Sequence, residues 1–511
     1  MQTEPCGTTS LRVLCDAMDM TTDKAKVRYA LLSVGEMTAA DLRTIAEGTP
    51  VITLMERAGQ AVADAIRSRW SKRATLVLCG PGNNGGDGFA VACLLAEAGW
   101  PVRVALLGPM DAMQGDAAQM AERWSGSVEC WDDVDAASAG LIVDAVFGAG
   151  LSRRLSEKVS SVLERIASPC VAVDLPSGVS GDSGALLGPA PRADLTVTFC
   201  RAKPGHLLAP GRFHCGDVVV ADIGITDETV NILQPSLWQN HPDLWRRRWP
   251  WPDGDLHKYS RGHLFVVGGG MATSGAARLA ARAGLRAGAG LVTCAVPRSA
   301  LLVYASQQTS VMTTPLPTPD ALPELMEERR VRAVALGPGQ GLSDATQGNV
   351  LKTLSLGTPC VLDADALTVF RDNADDLFSA LHEHCVLTPH EGEFQRLFHR
   401  SDNKLKDVRH AAEVAGCVVL LKGPDTVIAE PAGDTVINDN GPADLATAGS
   451  GDVLAGFVGG LLAQGCGPFD AAAMGAWLHG EAGRQVGPGL IAEDLPEAVP
   501  AVLRRLKLGA V

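Results

Sequence analysis

The sequence predicts two α/β domains, each built on a mainly parallel sheet with helices on both faces. With 511 residues, the chain is too long for a single ordinary hydrophobic core. Two series of short, almost continuously apolar runs alternate with helix-like stretches, which is the pattern of buried parallel strands. A segment rich in Pro and Trp (226–261) has neither a helical nor a strand period and separates the two series.

The first series begins near Val34 and ends near Ile225. A stretch with the composition of a helix, GFAVACLLAEAG (88–99), follows its first predicted strand. The predicted strands are, in order, ATLVLCG (74–80), PVRVALLG (101–108), LIVDAVFG (141–148), CVAVDLP (170–176), LTVTFC (195–200) and DVVVADIG (217–224).

The second series begins at HLFVVGGG (263–270), which precedes a predicted helix of small residues (274–290). A long helical region is predicted from Gly451 onward. The remaining strands are predicted at LVTCAV (291–296), VRAVALG (331–337), CVLDAD (360–365), CVLTPH (385–390) and CVVLLKG (417–423).

Composition excludes several classes of protein. The net charge of −14 argues against a nucleic-acid-binding face. The 13 Cys are dispersed without a C-x-x-C pair, which fits free thiols in a reducing cytoplasm. We expect no membrane span, because no run of about 20 uncharged apolar residues occurs. Residues 1–30 lack a signal-peptide pattern and are interpreted as a tail.

A glycine-rich turn, GPGNNGGDG (80–88), joins the first strand to a helix. Gly80, Gly82 and Gly85 fit G-x-G-x-x-G, and a helix N-terminus there would offer N–H groups to phosphate. The next strand lacks the acidic residue that binds ribose in NAD-dependent dehydrogenases, which disfavours hydride transfer. The NNGGD segment is compatible with plain turn formation and capping as well as with a site.

Two further strand ends are polar. Asp144 ends one strand, and Asp174 and Ser177 follow another. Because ligands bind at the carboxyl ends of parallel strands, these residues and the NNGGD turn predict one site.

These motifs resemble those of the NAD(P)H-hydrate epimerase family, through GPGNNGGDG, VDAVFGAGL (143–151), VDLPSG (173–178) and TVTFCRAKPGH (196–206). The resemblance covers nearly the whole first half and implies a Rossmann-like three-layer domain over 31–228 that binds one potassium ion. It implies Asn84, Asp144 and Ser177 as the potassium ligands, and their oxygen donors suit a hard cation. The residues implied to contact the hydrated cofactor are Asn83, Asn84, Gly85, Gly86, Asp87, Gly148, Ala149, Gly150, Leu151, Ser152, Arg153, Arg154 and Asp174.

Asp174 and Lys203 are our candidates for the proton donor and acceptor of epimerisation, because each follows a strand within a family motif. Lys203 alone would fit an ordinary surface lysine equally well. Arg153 and Arg154 could bind phosphate or simply be exposed arginines.

A second glycine-rich turn, AGSGD (448–452), opens a long apolar helix. Backbone N–H groups there could stabilise a transferring phosphoryl group, and Asp452 could accept the proton of the attacking hydroxyl. The alternative is a glycine-rich helix start in which Asp452 is an ordinary first-turn carboxylate.

This half resembles the ribokinase-like superfamily and, within it, the ADP/ATP-dependent NAD(P)H-hydrate dehydratases. Six motifs carry the resemblance over nearly all of 257–511, with 229–256 as a linker: HKYSRGHLFVVGGG (257–270), SGAARLA (274–280), ALGPGQG (335–341), VLDADAL (361–367), LTPHEGEF (387–394) and KGPDTVIA (422–429). It implies that the hydrated cofactor contacts Ala276, Gly337, His390 and Asp452. It implies nucleotide binding by Lys422, Gly423, Pro424, Asp425, Thr426 and Gly451.

Two positions depart from that family's usual pattern: Thr368, where Asn is common, and Glu391, where Pro is common. Both departures bear on the expected contacts with the substrate and leave the reaction expected at Gly451 and Asp452 unchanged. His390 could also be a capping residue, and Asp365 could position magnesium-bound phosphates.

Together the resemblances imply a bifunctional enzyme that repairs hydrated NADH and NADPH. One domain would interconvert the R and S hydrates, and the other would dehydrate the S hydrate through a phosphorylated intermediate, with ADP and Mg²⁺ favoured. They also imply a homo-oligomer that acts on small molecules, without a nucleic-acid or membrane partner. The alternatives are a ribokinase-like small-molecule kinase, of a vitamin precursor or sugar, and a non-enzymatic binding protein.

Overall fold

The computed structural model describes residues 24–252, 254 and 257–510, so most of the predicted tail (1–30) and part of the predicted linker lie outside it. Val27–Leu237 form one compact unit, here called the N-terminal domain. Trp238–Val511 belong to the second unit, the C-terminal domain. The boundary therefore falls within the segment interpreted above as a linker.

The N-terminal domain is a seven-stranded, wholly parallel sheet in the order β3-β2-β1-β4-β5-β6-β7. Its strands are β1 (Thr75–Cys79), β2 (Val102–Leu106), β3 (Val128–Cys130), β4 (Leu141–Ala145), β5 (Cys170–Val173), β6 (Leu195–Phe199) and β7 (Asp217–Ala221). Its helices are α1 (Val34–Ala46), α2 (Val51–Arg69), α3 (Asn83–Glu97), α4 (Gly115–Glu122), α5 (Glu157–Leu163) and α6 (Asp227–Ile232).

Strand order reverses direction between β1 and β4. Both strands are buried along their whole length, as expected for the centre of a parallel sheet covered on both faces. The loops after β1 and β4 leave the sheet on either side of this switch point, where open α/β sheets form ligand-binding crevices.

The C-terminal domain is a ten-stranded mixed sheet in the order β11-β10-β9-β12-β13-β14-β15-β16-β17-β8. Pairing is parallel from β11 to β15, and β16 is antiparallel to both its neighbours. The strands are β8 (Leu237–Gln239), β9 (His263–Val267), β10 (Leu291–Val296), β11 (Met312–Pro315), β12 (Ala333–Leu336), β13 (Cys360–Leu362), β14 (Cys385–Leu387), β15 (Val418–Leu421), β16 (Thr426–Ala429) and β17 (Thr435–Asn438).

Eleven α-helices of the described residues belong to this domain. The pair α7 and α15 packs closely through small residues: a Cβ at Gly456 would lie 2.2 Å from the Ala280 carbonyl oxygen. The helices are α7 (Ser274–Ala287), α8 (Leu301–Gln307), α9 (Leu322–Glu328), α10 (Asp344–Ser355), α11 (Asp365–Thr368), α12 (Ala374–Ala380), α13 (Glu391–Leu397), α14 (Lys404–Ala415), α15 (Ser450–Ala463), α16 (Pro468–Val486) and α17 (Asp494–Leu508).

The predicted α/β class and all the strands predicted from apolar runs are confirmed. The segment interpreted as irregular (226–261) contains α6, β8 and two short 3₁₀ turns, so the expectation that it lacks regular structure was wrong. Within it, Arg248 makes a two-point ion pair with Asp470. Among the residues that the structure describes, no helix is long and apolar enough to cross a membrane.

Candidate functional sites

A cavity of about 700 Å³ lies at the carboxyl ends of the N-terminal domain's strands. Such a volume accommodates a sizeable small molecule. Many of the residues predicted for this site line it: Asn83, Asn84, Asp87, Gly148, Ala149, Gly150, Leu151, Ser152, Arg153, Asp174 and Lys203. Arg154 is exposed but does not line the cavity, and Gly85 and Gly86 are buried beneath it.

Gly85 serves close backbone packing. A Cβ at this position would lie 1.7 Å from the carbonyl oxygen of Gly80, so only glycine lets α3 start this close to the end of β1. The turn thereby presents Asn83, Asn84 and Asp87 at the cavity.

Three hydrogen bonds hold the Asp174 carboxylate at the cavity. Its Oδ1 accepts hydrogen bonds from Lys203 Nζ (2.8 Å) and Thr198 Oγ1 (2.9 Å), and its Oδ2 accepts one from Ala149 N (2.8 Å). Its backbone has φ of +65°, a strained conformation for a non-glycine residue and one that is common at active sites. Burial alone would raise the pKa of Asp174, but the charge and hydrogen bond of Lys203 and the hydrogen bond from Ala149 N hold it at about 2.

Lys203 is 2% exposed, which excludes the surface-lysine alternative. Its ammonium also donates to Thr198 Oγ1 (2.9 Å) and to the Phe199 carbonyl (3.3 Å), so each of its three protons has an acceptor. His206 supports the pair from below: its Nδ1 accepts from Lys203 N (2.9 Å) and its Nε2 lies 2.7 Å from the Asp174 carbonyl. Burial and the nearby ammonium lower the pKa of His206 to about 4.

Two further carboxyl groups face this ion pair from the cavity wall. Burial raises the pKa of Asp41, on α1, to about 6 despite the attraction of Lys203. Burial, with the negative charges of Asp174 and Asp41, raises the pKa of Asp87 well above its usual value. The cavity therefore combines an ionised carboxylate with carboxyl groups that bind protons more strongly.

Asp144 and Ser177 lie together beneath the cavity. Ser177 donates its hydroxyl (2.6 Å) and backbone N–H (2.7 Å) to the fully buried Asp144 carboxylate. Burial raises the pKa of Asp144 to about 6, and no Lys or Arg among the described residues pairs with it. Asn84 is held nearby: with its amide oriented to satisfy both neighbours, its oxygen accepts from Gly148 N (3.2 Å) and its nitrogen donates to the Val173 carbonyl (3.2 Å).

These donors fit a hard monovalent cation. All three predicted ligands offer oxygen, and Asp144 is a buried carboxylate without a protein cation to balance it among the residues described. The fit rests on the oxygen donors of Asn84, Asp144 and Ser177 and on the burial of Asp144 and Ser177.

The C-terminal domain gathers a second acidic cluster around the start of α15. Gly449 precedes this helix with φ of +87°, and Asp452 lies in its first turn. Burial, then the charge of Asp363, raises the pKa of Asp452 to about 7, although Lys422 opposes the shift. A carboxyl with such a pKa can take up a proton at neutral pH.

Lys422 is the central cation of this cluster. Its ammonium lies 2.6 Å from Asp363 Oδ1 and 3.8 Å from Glu393 Oε2. A Cβ at Gly451 would lie 3.4 Å from Lys422 Nζ and 3.9 Å from Asp363 Oδ2, so the helix start directly borders the ion pair. Asp365 is anchored by a hydrogen bond from Gly341 N (2.8 Å). The carboxylate oxygens of Asp363, Asp365 and Asp452 are donors that Mg²⁺ prefers.

The other predicted residues of this site follow neighbouring strand ends. Ala276 lies on the first turn of α7, after β9, and Gly337 directly follows β12. His390 follows β14 and caps α13: its Nδ1 accepts from Gly392 N (2.9 Å), while 54% of its side chain is exposed. His390 is thus a capping residue whose ring remains accessible to a ligand.

The segment from Lys422 to Thr426 forms the turn between β15 and β16. Its Asp425 makes a buried ion pair with Lys404 (2.7 Å), and Thr426 Oγ1 donates to the Gly423 carbonyl (2.9 Å). These contacts fix the conformation of the turn. Its first residue, Lys422, is the one that pairs with the acidic cluster.

Sequence reasoning missed several contributors to the two sites. Thr198 and His206 lay within a recognised motif, and Asp363 and Glu393 lay within two others, but none had been assigned a role. Asp363 carried a usable signal, because it ends an apolar strand as Asp144 does. Asp41 carried no signal, since it comes from a helix that no motif marked.

The structure defines an α/β protein of two compact units, each with its own cluster of buried carboxyl groups around a lysine. A family described as YjeF-related protein N-terminus matches residues 51–205, and one described as NAD(P)H-hydrate dehydratase matches residues 264–497. The bifunctional NAD(P)H-hydrate repair enzyme Nnr of Salinibacter ruber is 37% identical to the chain, covering 92% of the chain and 96% of that protein. The enzyme of the same name from Moorella thermoacetica is 39% identical, covering 90% and 93%.

The chain belongs to the family of bifunctional NAD(P)H-hydrate repair enzymes. Among solved structures, an ADP/ATP-dependent NAD(P)H-hydrate dehydratase from Bacillus subtilis, co-crystallised with ATP and Mg²⁺, is 26% identical. It matches 52% of this chain and 98% of its own, with a TM-score of 0.45. Along the chain, the region that matches the YjeF-related family precedes the region that matches the NAD(P)H-hydrate dehydratase family.

Proposed function

We propose that the chain repairs hydrated NADH and NADPH in two steps. Residues 31–228 would interconvert the R and S hydrates, and residues 257–511 would dehydrate the S hydrate with ADP as phosphoryl donor. The observation that carries this proposal is the presence of two independent acid–base centres, around Asp174 and Asp452, in a chain of this family.

Epimerisation removes hydroxide from one ring carbon and returns it to the other face. The lone pair of the ring nitrogen stabilises the cation left behind, so the protein must supply a proton to the leaving oxygen and accept one from the returning water. Asp174, kept ionised by Lys203, is the acceptor in this proposal. Lys203 is a positioning residue, since its three protons are already engaged, and Asp87 or Asp41 supplies the proton.

The potassium ion would be held by Asn84, Asp144 and Ser177. When bound, it would balance the buried charge of Asp144 and attract the oxygens of the substrate. Arg153, which lines the cavity, would contact a substrate phosphate.

Dehydration needs a better leaving group than hydroxide. Asp452 would accept the hydroxyl proton while that oxygen forms a bond to the terminal phosphorus of ADP and the bond from this phosphorus to the bridging oxygen breaks. The N–H groups of Gly449 to Gly451 and the ammonium of Lys422 would stabilise the transferring charge. Phosphate then leaves the ring with its bonding electrons, the neighbouring carbon loses a proton, and the double bond of NAD(P)H is restored.

Mg²⁺ would be held by carboxylates of the cluster formed by Asp363, Asp365 and Asp452. When bound with the nucleotide, it would neutralise phosphate charge. The turn from Lys422 to Thr426 would bind the nucleotide, while Ala276, Gly337 and His390 would contact the hydrated ring.

We place the enzyme in the reducing cytoplasm as a homo-oligomer that acts only on small molecules. The free state of the eleven Cys among the described residues supports a reducing compartment.

The direct test follows absorbance of reduced nicotinamide during incubation with a racemic NADH hydrate, Mg²⁺ and K⁺. Parallel reactions contain ADP, ATP or no nucleotide. Full recovery with ADP and none without nucleotide is expected. Absence of recovery with both nucleotides would overturn the proposal and favour the small-molecule kinase alternative.

A further inference from the structure

Two buried thiols and an imidazole converge at the end of the C-terminal sheet that lies away from the candidate site. Cys360 and Cys385 are the first residues of β13 and β14 and are direct partners in the parallel register. Both are fully buried, and His382 stands three residues before Cys385. Asp363 and His390 follow the opposite ends of the same two strands.

The distances within this cluster match a metal polyhedron. Cys360 Sγ lies 3.6 Å from Cys385 Sγ, and Cys385 Sγ lies 3.5 Å from His382 Nδ1. Zinc–sulfur and zinc–nitrogen bonds of about 2.3 and 2.0–2.1 Å, at tetrahedral angles, place two sulfurs about 3.8 Å apart and a sulfur and a nitrogen about 3.6 Å apart. The three atoms all lie within 4.8 Å of one another, which holds for no other group of three or more potential metal ligands among the described residues.

Backbone hydrogen bonds hold the three side chains in place without a metal. Cys385 N donates to the His382 carbonyl (3.0 Å), closing a tight turn, and Cys360 N donates to the His384 carbonyl (3.2 Å), which docks that turn onto β13. His382 Nδ1 makes two long hydrogen-bond contacts, with His384 N (3.3 Å) and with Cys385 Sγ (3.5 Å), and a metal would replace both. The other ring nitrogen, Nε2, is buried without a hydrogen-bond partner among the residues described.

We propose that Cys360, Cys385 and His382 bind a thiophilic divalent cation, Zn²⁺, through Sγ, Sγ and Nδ1. Both thiols lose their protons on binding, and a fourth position stays open for water. Because His382 is only partly buried, it gives the metal a path from solvent. The site would join β13 to β14 at the ends remote from Asp363 and His390, and it is independent of the proposed function.

The test uses full-length, tag-free protein, reduced and then freed of metal. Elemental analysis after equilibration with one to two equivalents of Zn²⁺ and gel filtration is expected to show one zinc per chain. Titration with Co²⁺ is expected to give thiolate-to-metal absorption in the near ultraviolet and the intense visible bands of a tetrahedral site. Cys360→Ser and Cys385→Ser are expected to lose both signals, and His382→Gln to weaken binding at least 10-fold.

Cys294→Ser is the matched control, since Cys294 is a buried thiol on β10 outside the cluster. It is expected to keep the full equivalent of zinc. The Co²⁺ spectrum of the unaltered chain decides the matter even if a serine variant fails to fold. The proposal is overturned if the reduced unaltered protein retains no zinc and gives no thiolate–cobalt bands, or if the zinc equivalent survives in both Cys360→Ser and His382→Gln.

Discussion

At the scale of single residues, the two sites use opposite electrostatics. In the N-terminal domain, Lys203 holds the Asp174 carboxylate ionised, with its pKa at about 2. In the C-terminal domain, burial and neighbouring carboxylates raise the pKa of Asp452 to about 7. The same chemical group is therefore a permanent anion in one site and a titrating base in the other.

Replacing Lys203 with Met is expected to move the acid limb of the epimerase pH profile upward. Without the ammonium, the remaining burial raises the pKa of Asp174, so the carboxylate is protonated at higher pH. The rate of R–S interconversion, followed from pH 4 to 9, should be nearly flat at the acid end for the parent and should fall in the variant. Lys158→Met, at an exposed ion pair with Asp132, is the control. Superimposable profiles for parent and Lys203→Met would refute the positioning role.

The dehydratase is expected to lose activity as pH falls below about 7. Asp452 must be ionised to accept a proton, so kcat should decline as its carboxylate is protonated. Lys422→Met removes a charge that lowers this pKa, and its kcat profile should therefore shift to higher pH. A shift to lower pH, or no acid limb in the parent, would contradict the assignment.

At the scale of elements, the start of α3 shows how packing shapes the N-terminal site. Gly85→Ala places a methyl group 1.7 Å from the Gly80 carbonyl oxygen, and backbone must move to relieve it. We expect a loss of roughly 1–3 kcal/mol in free energy of unfolding, measured by denaturant titration, together with loss of epimerase activity. Gly82→Ala is the matched control, since nothing lies within 4 Å of a Cβ there. Equal stability of the two variants would contradict this account of the turn.

The apolar strands and the polar residues at their ends were predictable because burial on both faces leaves a continuous apolar run. The sequence did not reveal β16 and β17, which form an antiparallel extension, or the short edge strands β3 and β11. β3 and β11 are only partly buried, so their sequence pattern resembles that of loops. β16 and β17 are fully buried, but each is only four residues long, and no pattern singled them out.

Prediction of the sites was limited because tertiary packing alone brings some of their residues together. Asp174 and Asp452 lie within glycine-containing motifs, VDLPSG after a strand and AGSGD at the start of a helix. Asp41 reaches the cavity only because α1 packs against the cavity. The local sequence of a helix does not indicate where in the fold that helix packs. That Lys203 is buried rather than exposed is likewise a property of the fold.

At the scale of the whole molecule, the chain combines two reactions whose substrates differ only in the configuration of one carbon. A dehydratase that accepts one epimer leaves half of a racemate unrepaired. An epimerase in the same chain makes the other half available. Each activity should therefore be removable alone, because Asp174 and Asp452 belong to different domains.

The most direct measurement is the extent of NADH recovery from a racemic hydrate, with saturating ADP, Mg²⁺ and K⁺, by three forms of the chain. The parent should restore nearly all the absorbance. Asp174→Asn should stop near half, with the rate of the first half unchanged. Asp452→Asn should be at least ~100-fold slower throughout while still interconverting the R and S hydrates. Full, rapid recovery by Asp174→Asn, or unchanged dehydration by Asp452→Asn, would contradict the assignment of one reaction to each domain.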